Sequence, residues 1–349
     1  MKTYSGPVLL KKGFIQGQID VDDSRVVEFE EGGDQGEDSI IIPSLVNAHA
    51  HSGDAFVKKA PEGSIERVVG PDGYKHKALE EAPDEVIIEG MRAYFTEQKN
   101  TGVNNSIEFR EGGIEGIKLL REAIKGLEED ITITTFGRPT KKTYDEWELN
   151  KLIAISDGIG LSSYRDWDDI QFHKIAETAK RLNTPLALHC SEDVREPLDD
   201  IFDIDVHHLV HMLEADEDDL LSCAIEEIPI VICPRSNMQF GKIPDIPMML
   251  ENDVDLSLGT DNAMLVSPNM FRELETAYRV ARIKDRVEAE DILMMATWNP
   301  RESLYSTLGV VKPEADNDTF LVLERGNKEP AYEVVTRTST RDIKRKVVW

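Results

Sequence analysis

Eight short apolar segments recur along the middle of this chain, each followed by a loop and usually by a stretch with helical spacing. They are Leu45–His49, Val103–Phe109, Ile131–Phe136, Ile155–Leu161, Pro185–His189, Val206–His211, Ile228–Cys233 and Val254–Thr260. Short continuous apolar runs suit parallel strands that are covered on both faces. Helices fit the gaps. Phe172, Ile175, Ala176, Ala179 and Leu182 recur at helical intervals, with Asp168 or Asp169 placed to cap them. Asp84–Thr101, Ile114–Leu127, Asp216–Glu226 and Pro268–Asp285 read as further helices, while the pattern is weaker after the third, fifth and seventh strands. Eight strand–helix units in roughly 260 residues is the arithmetic of an α/β protein built as a (β/α)8 TIM barrel. A doubly wound sheet is the rival arrangement.

The two ends of the chain read differently. Val8–Leu10, Phe14–Ile19 and Val26–Phe29 are strand-like, and a polar, Gly-rich loop follows at Glu30–Asp38. Thr319–Leu323, Tyr332–Thr336 and Lys346–Trp349 are the candidate strands of the C-terminal end. The expected organisation is a barrel over residues 44–309 and a composite small β unit, a sandwich, formed by residues 1–43 and 310–349. The stretch Ser52–Pro83 has no clear periodicity and is long for a loop, as lids and binding loops often are.

Composition excludes several classes. Hydrophobic residues make up 40% of the 349 and charged residues 31%, which places the chain among globular proteins. No run of about 18 apolar residues is present to span a membrane. Met1–Gly6 lacks a charged-then-apolar leader, so the expected location is the cytoplasm. Three cysteines, Cys190, Cys223 and Cys233, with no CxxC pair, argue against a disulfide framework and a cysteine-ligated metal. The formal charge of −27 would repel phosphate backbones, so nucleic acid is not an expected partner. A salt-adapted cytoplasm and plain solubility explain that charge equally well. A small-molecule substrate is the expected partner, and a homo-oligomer is left open.

The polar residues fall where a barrel would need them. His49 and His51 form His-Ala-His at the end of the first strand. Alternate residues of a strand share a face, so both imidazoles can meet one ion. His189 ends the fifth strand, His211 the sixth, and Asp261 follows Gly-Thr at the end of the eighth. Singly, each could be a packed histidine or a capping aspartate. Jointly they place metal-capable groups on four strands at the end where barrel active sites lie. Three imidazoles and a carboxylate suit one divalent metal, zinc (Zn2+) first, with iron (Fe2+) or manganese as alternatives. Glu192, three residues past His189, is placed to move protons beside such an ion; its other reading is a surface glutamate opening the next helix.

Pro-Ser-Leu-Val-Asn-Ala-His-Ala-His, ending at His51, resembles the opening signature of the amidohydrolase superfamily. His189-x-x-Glu192, the His211 segment, Cys233-Pro-Arg-Ser-Asn237, Gly-Thr-Asp261 and Ala296-Thr-Trp-Asn-Pro300 resemble its later signatures in the same order. The most similar branch is that of cytosine, guanine and adenosylhomocysteine deaminases and triazine chlorohydrolases. The resemblance implies that His49, His51, His189 and Asp261 hold the metal and that Glu192 is the proton shuttle. It also implies that His211 orients the attacking water or polarises a substrate carbonyl, and that Asp261 helps deprotonate the water. Two-metal members carry a lysine at the end of the fourth strand, where Gly160-Leu161-Ser162-Ser163-Tyr164 stands, so one metal is implied. Ser44 occupies a place that is usually glycine, and Lys312–Thr319 lacks the usual glycine-rich turn.

The function that the resemblance implies is hydrolysis of C–N bonds other than peptide bonds. Its leading form is deamination of a purine-, pyrimidine- or pterin-like ring by hydroxide formed at the metal. The same constellation could cleave a ring amide or expel chloride. An inactive metal-binding scaffold is the reading from another class, and the presence of Glu192 and His211 weighs against it. Arg110, Arg138, Arg165 and Arg235 stand at strand ends on the same face, which points to an anionic substrate, with Asn237 as a further substrate contact. Against this, Arg110 and Arg165 have acidic neighbours, and Arg235 could serve its own turn.

Overall fold

The computed structural model describes residues 1–32, 39–70, 72–308, 319–324, 326 and 328–349. Its larger sheet runs Leu256–Leu258, Ile230–Ile232, Val206–His211, Leu186–Cys190, Gly158–Leu161, Thr132–Gly137, Val103–Arg110, Leu45–His51, Asp261–Asn262, with every neighbouring pair parallel. The first and last of these are separated by only Gly259 and Thr260 in the chain, so the eighth strand touches both edges of the sheet. Met295 and Ala296 complete the seam, their carbonyls accepting the amides of Leu258 at 2.9 Å and Val46 at 2.8 Å. This is a TIM-barrel-like α/β fold.

Helices cover the outside. Asp84–Asn100, Gly113–Ile124, Asp169–Arg181, Glu217–Ile225 and Met270–Lys284 lie where periodicity placed them. Asp168 caps its helix by accepting from the Gln171 amide. The third crossover carries Glu146–Ile155, which takes Ile155 from the expected fourth strand, and that strand begins only at Gly158. The fifth carries only Asp199–Phe202, and the seventh carries Pro234–Gln239 and Ile246–Glu251. The stretch read as an unstructured loop contains a turn at Ser52–Asp54 and helices at Ile65–Val68 and Tyr74–Glu81.

The terminal strands close on themselves in the order Lys2–Leu10, Gly13–Asp22, Arg25–Glu31, Ile343–Val348, Thr319–Leu323, Ile40–Pro43. The expected sandwich is thus a six-stranded closed barrel. Ile40–Pro43, which pattern alone did not resolve as a strand, joins the two ends of the chain by pairing with both Lys2–Leu10 and Thr319–Leu323. Tyr332–Thr336, expected as a strand, lies in the helix Pro330–Arg337. Its β-branched residues favour strands, but Pro330 opens a helix well and buried Val334 and Val335 dock on Met270–Lys284 and Ala289–Met294. Residues 310–318 of the proposed C-terminal unit, including most of Lys312–Thr319, lie outside the described residues. Ser44 is buried and its hydroxyl accepts from the buried Arg301 guanidinium at 3.0 Å. Trp298 reaches the N-terminal strand, its Nε1 donating to the Leu9 carbonyl at 3.4 Å.

The inside of the larger barrel is filled with side chains at its base. Val46, Ala48, Ile107, Phe109, Phe136, Ala187, Val210 and Val231 form one buried cluster there. Strict alternation from Val46 and Ala48 would turn His49 outward. The pairing with the second strand is irregular between Asn47 and Ala50, and His49 packs its ring 4.5 Å from that of Phe109, above the inner cluster. A bulge here re-aims the histidines into the barrel mouth.

Candidate metal centre and active site

The first strand is locked to the eighth just below the site. Asn47 Nδ2 donates to Thr260 Oγ1 at 2.8 Å, and the Thr260 amide is shared between Asn47 Oδ1 at 2.9 Å and the His49 carbonyl at 3.0 Å. Gly259 permits this approach, since a Cβ there would lie 2.7 Å from the Cβ of His49.

Above this clamp, one nitrogen or oxygen from each of His49, His189, His211 and Asp261 lies within 4.8 Å of all the others. His51 completes the group, its Nε2 lying 3.2 Å from His189 Nε2 and 3.6 Å from Asp261 Oδ1. The tautomers follow from the partners. His189 Nδ1 faces the Leu161 carbonyl at 2.9 Å and His51 Nδ1 faces the Phe109 carbonyl at 3.1 Å. A carbonyl only accepts, so both Nδ1 atoms carry hydrogen and both Nε2 atoms turn lone pairs toward each other. His49 Nδ1 has no hydrogen-bond partner and its Nε2 comes no nearer than 3.6 Å to Asp261 Oδ1, although the side chain is fully buried. Facing lone pairs and an orphaned buried imidazole are costly without a cation between them. Two nitrogens on a tetrahedral zinc, each at about 2.0–2.1 Å, lie about 3.3 Å apart, close to the spacing of His51 and His189. The donor set therefore fits a divalent ion.

The electrostatics agree with neutral imidazoles beside an ionised carboxylate. Burial pushes His49 down to about 3 and His189 well below the usual histidine range. Burial alone would raise Asp261, but His49 and His211 outweigh it and hold that carboxyl well below its ordinary value. Asp261 is further fixed by Ser236 Oγ at 2.5 Å and Asn262 Nδ2 at 2.8 Å. His211 and Asp261 have φ of 83° and 59°, in the left-handed region. Strained backbone at two strand ends that meet in one place marks a functional site.

Glu192 stands at the edge of the cluster, with Oε1 3.6 Å from His211 Nε2. Burial raises its carboxyl, and His211 opposes that. It does not open a helix. Its loop is tied instead by Glu196, which accepts from the Ser191 amide at 2.8 Å and from Ser163 Oγ at 2.6 Å. A cavity of about 550 Å³ lies in front, with His51, His189, Glu192, His211 and Asp261 at its base.

The five other sequence candidates separate. Arg110 and Arg138 line the cavity. Arg110 donates from Nε to the Gly116 carbonyl at 3.1 Å and sits 3.5 Å from Glu111, while Arg138 NH2 lies 3.5 Å from His189 Nδ1. Arg165 is exposed at the rim. Arg235 does not reach the cavity, contrary to expectation. It donates to the Ser267 carbonyl at 2.9 Å and pairs with buried Glu273. Asn237 does not line the cavity either; its Nδ2 meets His211 Nδ1 at 3.1 Å from behind. Both belong to the short helix Pro234–Gln239, where residues two apart point to opposite sides.

Sequence reasoning missed a buried polar layer beneath these groups. Glu111 Oε1 lies 2.7 Å from His51 Nδ1 and 2.5 Å from Lys75 Nζ. Burial would raise Glu111, but Lys75 and His51 hold it well below the carboxylate range. Glu108, which accepts from the Ser52 amide and hydroxyl, is pushed by burial to about 8, and Asp54 to about 7. The one available signal was that Glu108 and Glu111 flank strand-end Arg110 and Asp54 follows strand-end His51, and it pointed equally to ordinary surface pairing.

A barrel with three imidazoles and a carboxylate converging at the C-terminal ends of its strands defines a metal-dependent hydrolase. The chain belongs to the amidohydrolase family, whose model matches residues 40–345. It is 30% identical to a relative from Methanothermobacter thermautotrophicus that carries an aminohydrolase designation, over 87% of this chain and 84% of the relative. It is 25% identical to a 5-methylthioadenosine/S-adenosylhomocysteine deaminase of Clostridium tetani, over 86% of this chain and 76% of that one. Its fold is similar to that of a zinc-bound adenosine deaminase from Xanthomonas campestris, with a TM-score of 0.78, 17% identity, and coverage of 99% and 91% of the two chains. Among the described residues, no helix is long and apolar enough to cross a membrane.

Proposed function

We propose that this chain hydrolytically deaminates a heterocyclic substrate, with a purine-like ring favoured by the named relatives. The proposed division is a (β/α)8 barrel over residues 44–309 that carries the chemistry and a β unit from residues 1–43 and 310–349. His49, His51, His189 and Asp261 would hold one divalent metal, with zinc favoured by the donor set and by the zinc-bound neighbour. When bound, the ion would lower the pKa of water and polarise the electrophile. Asp261, ionised and fixed by Ser236, would accept a proton from the attacking water. Glu192 would carry a proton to the ring nitrogen beside the amino-bearing carbon and then to the departing amine. Water oxygen thus adds to the ring carbon, the C–N bond breaks, and ammonia leaves. His211, held from behind by Asn237, would orient the water or the leaving group. Arg110, Arg138 and Arg165 would face the remainder of the substrate, and an anionic group there suits them.

The observation that carries this is the convergence of His49, His189, His211 and Asp261 within 4.8 Å, with His51 3.2 Å from His189 and Glu192 3.6 Å from His211, at the base of a cavity. The test is elemental analysis combined with ammonia release from a panel of purines, pyrimidines, pterins and their nucleosides. Wild type should bind about one equivalent of metal, and His189→Ala and Asp261→Ala should lose it together with all turnover. Unchanged metal content in both variants overturns the site.

A further inference from the structure

Lys75 is 2% exposed, in the helix Tyr74–Glu81 that packs over the barrel mouth. A buried ammonium is costly unless it is paired and hydrogen-bonded. This one has two partners, and each touches a different proposed metal ligand. Its Nζ lies 2.5 Å from Glu111 Oε1, which lies 2.7 Å from His51 Nδ1. It also donates to Asn262 Oδ1 at 2.8 Å, and Asn262 Nδ2 donates to Asp261 Oδ1 at 2.8 Å. A single side chain from outside the barrel strands is thus one residue behind ligands on the first and eighth strands. The same helix supplies Lys75, His76, Leu79 and Glu80 to the cavity wall.

We propose that Lys75 is a positioning residue that couples metal loading to the docking of the helix Tyr74–Glu81. This rests on the metal site proposed above. Lys75 draws Glu111 onto His51, which fixes the ring with its Nε2 free toward the ion. It also turns the Asn262 carbonyl oxygen to itself, leaving the Asn262 amide to orient Asp261. Partners of this kind typically account for about 10–100-fold in metal affinity. Linkage runs in both directions: if Lys75 strengthens binding, the ion must strengthen the docking of the helix that carries Lys75.

The test measures zinc and cobalt affinity by competition with a chromophoric chelator, and hydrogen exchange of Tyr74–Glu81 with and without metal. Three proteins are compared: wild type, Lys75→Met, and Lys75→Met combined with Glu111→Gln, which leaves no unpaired buried carboxylate should the single variant fail to fold. Wild type should bind metal and gain protection in Tyr74–Glu81 on loading. The folded variants should bind about 10–100-fold more weakly and show no metal-dependent protection. A purely structural lysine would lower Tm yet leave affinity untouched. Affinity of the double variant within about twofold of wild type, or helix protection in wild type indifferent to metal, overturns the coupling while the metal site stands. Absence of metal binding in wild type overturns the site itself and the coupling with it.

Discussion

The residues that sequence made legible are those whose position within an element defines their role. His49, His51, His189, His211 and Asp261 each stand within two residues of a strand's C-terminal end, and strand ends are where a barrel gathers side chains. What stayed hidden was pairing between distant segments. Glu111 was legible only as a neighbour of Arg110, because its partners Lys75 and His51 come from elsewhere in the chain. Asp166, the acidic neighbour that offered Arg165 an alternative to a substrate contact, meets Lys142 at 3.5 Å. Glu192 offers the sharpest residue-level prediction. Glu192→Gln keeps the shape and removes the proton, so metal content should stay near one equivalent while kcat falls about 10²–10⁴-fold. A turnover number equal to wild type would assign the proton to another group.

At the scale of elements, long amphipathic helices and apolar strands could be read from the sequence, and short or β-branched ones could not. Pro330–Arg337 carries strand-forming residues, but its burial is decided by two neighbouring helices. The motif at Pro234–Gln239 is the instructive case, because one short helix serves two purposes. Ser236 and Asn237 face Asp261 and His211, while Arg235 anchors to the helix Met270–Lys284 through Glu273. Burial raises Glu273 from 4.5 to about 7, with Arg235 opposing. An acid with a higher pKa folded than unfolded binds more protons in the fold, so its contribution to stability declines as pH rises from about 4.5 to about 7 and is flat above that. Glu273→Gln should remove that decline. Urea midpoints across this range would check it, and identical pH slopes in both proteins would show that Glu273 does not titrate there.

At the scale of the whole molecule, the charge of −27 acts on every element at once. Self-repulsion weakens a compact state, and salt screens it. Tm should therefore rise by several degrees between about 50 mM and about 1 M potassium chloride. A flat or falling Tm would mean that local ion pairs outweigh the net field. The closed terminal sheet has a different consequence, one of timing. Ile40–Pro43 is made before the larger barrel, yet its partner Thr319–Leu323 is made only after it. Throughout synthesis of the barrel, Ile-Ile-Ile-Pro offers a bare hydrophobic edge, open to pairing with any other nascent chain. The strand that ties together the segments before and after the larger barrel is therefore also one that stays half-paired until the barrel has been made.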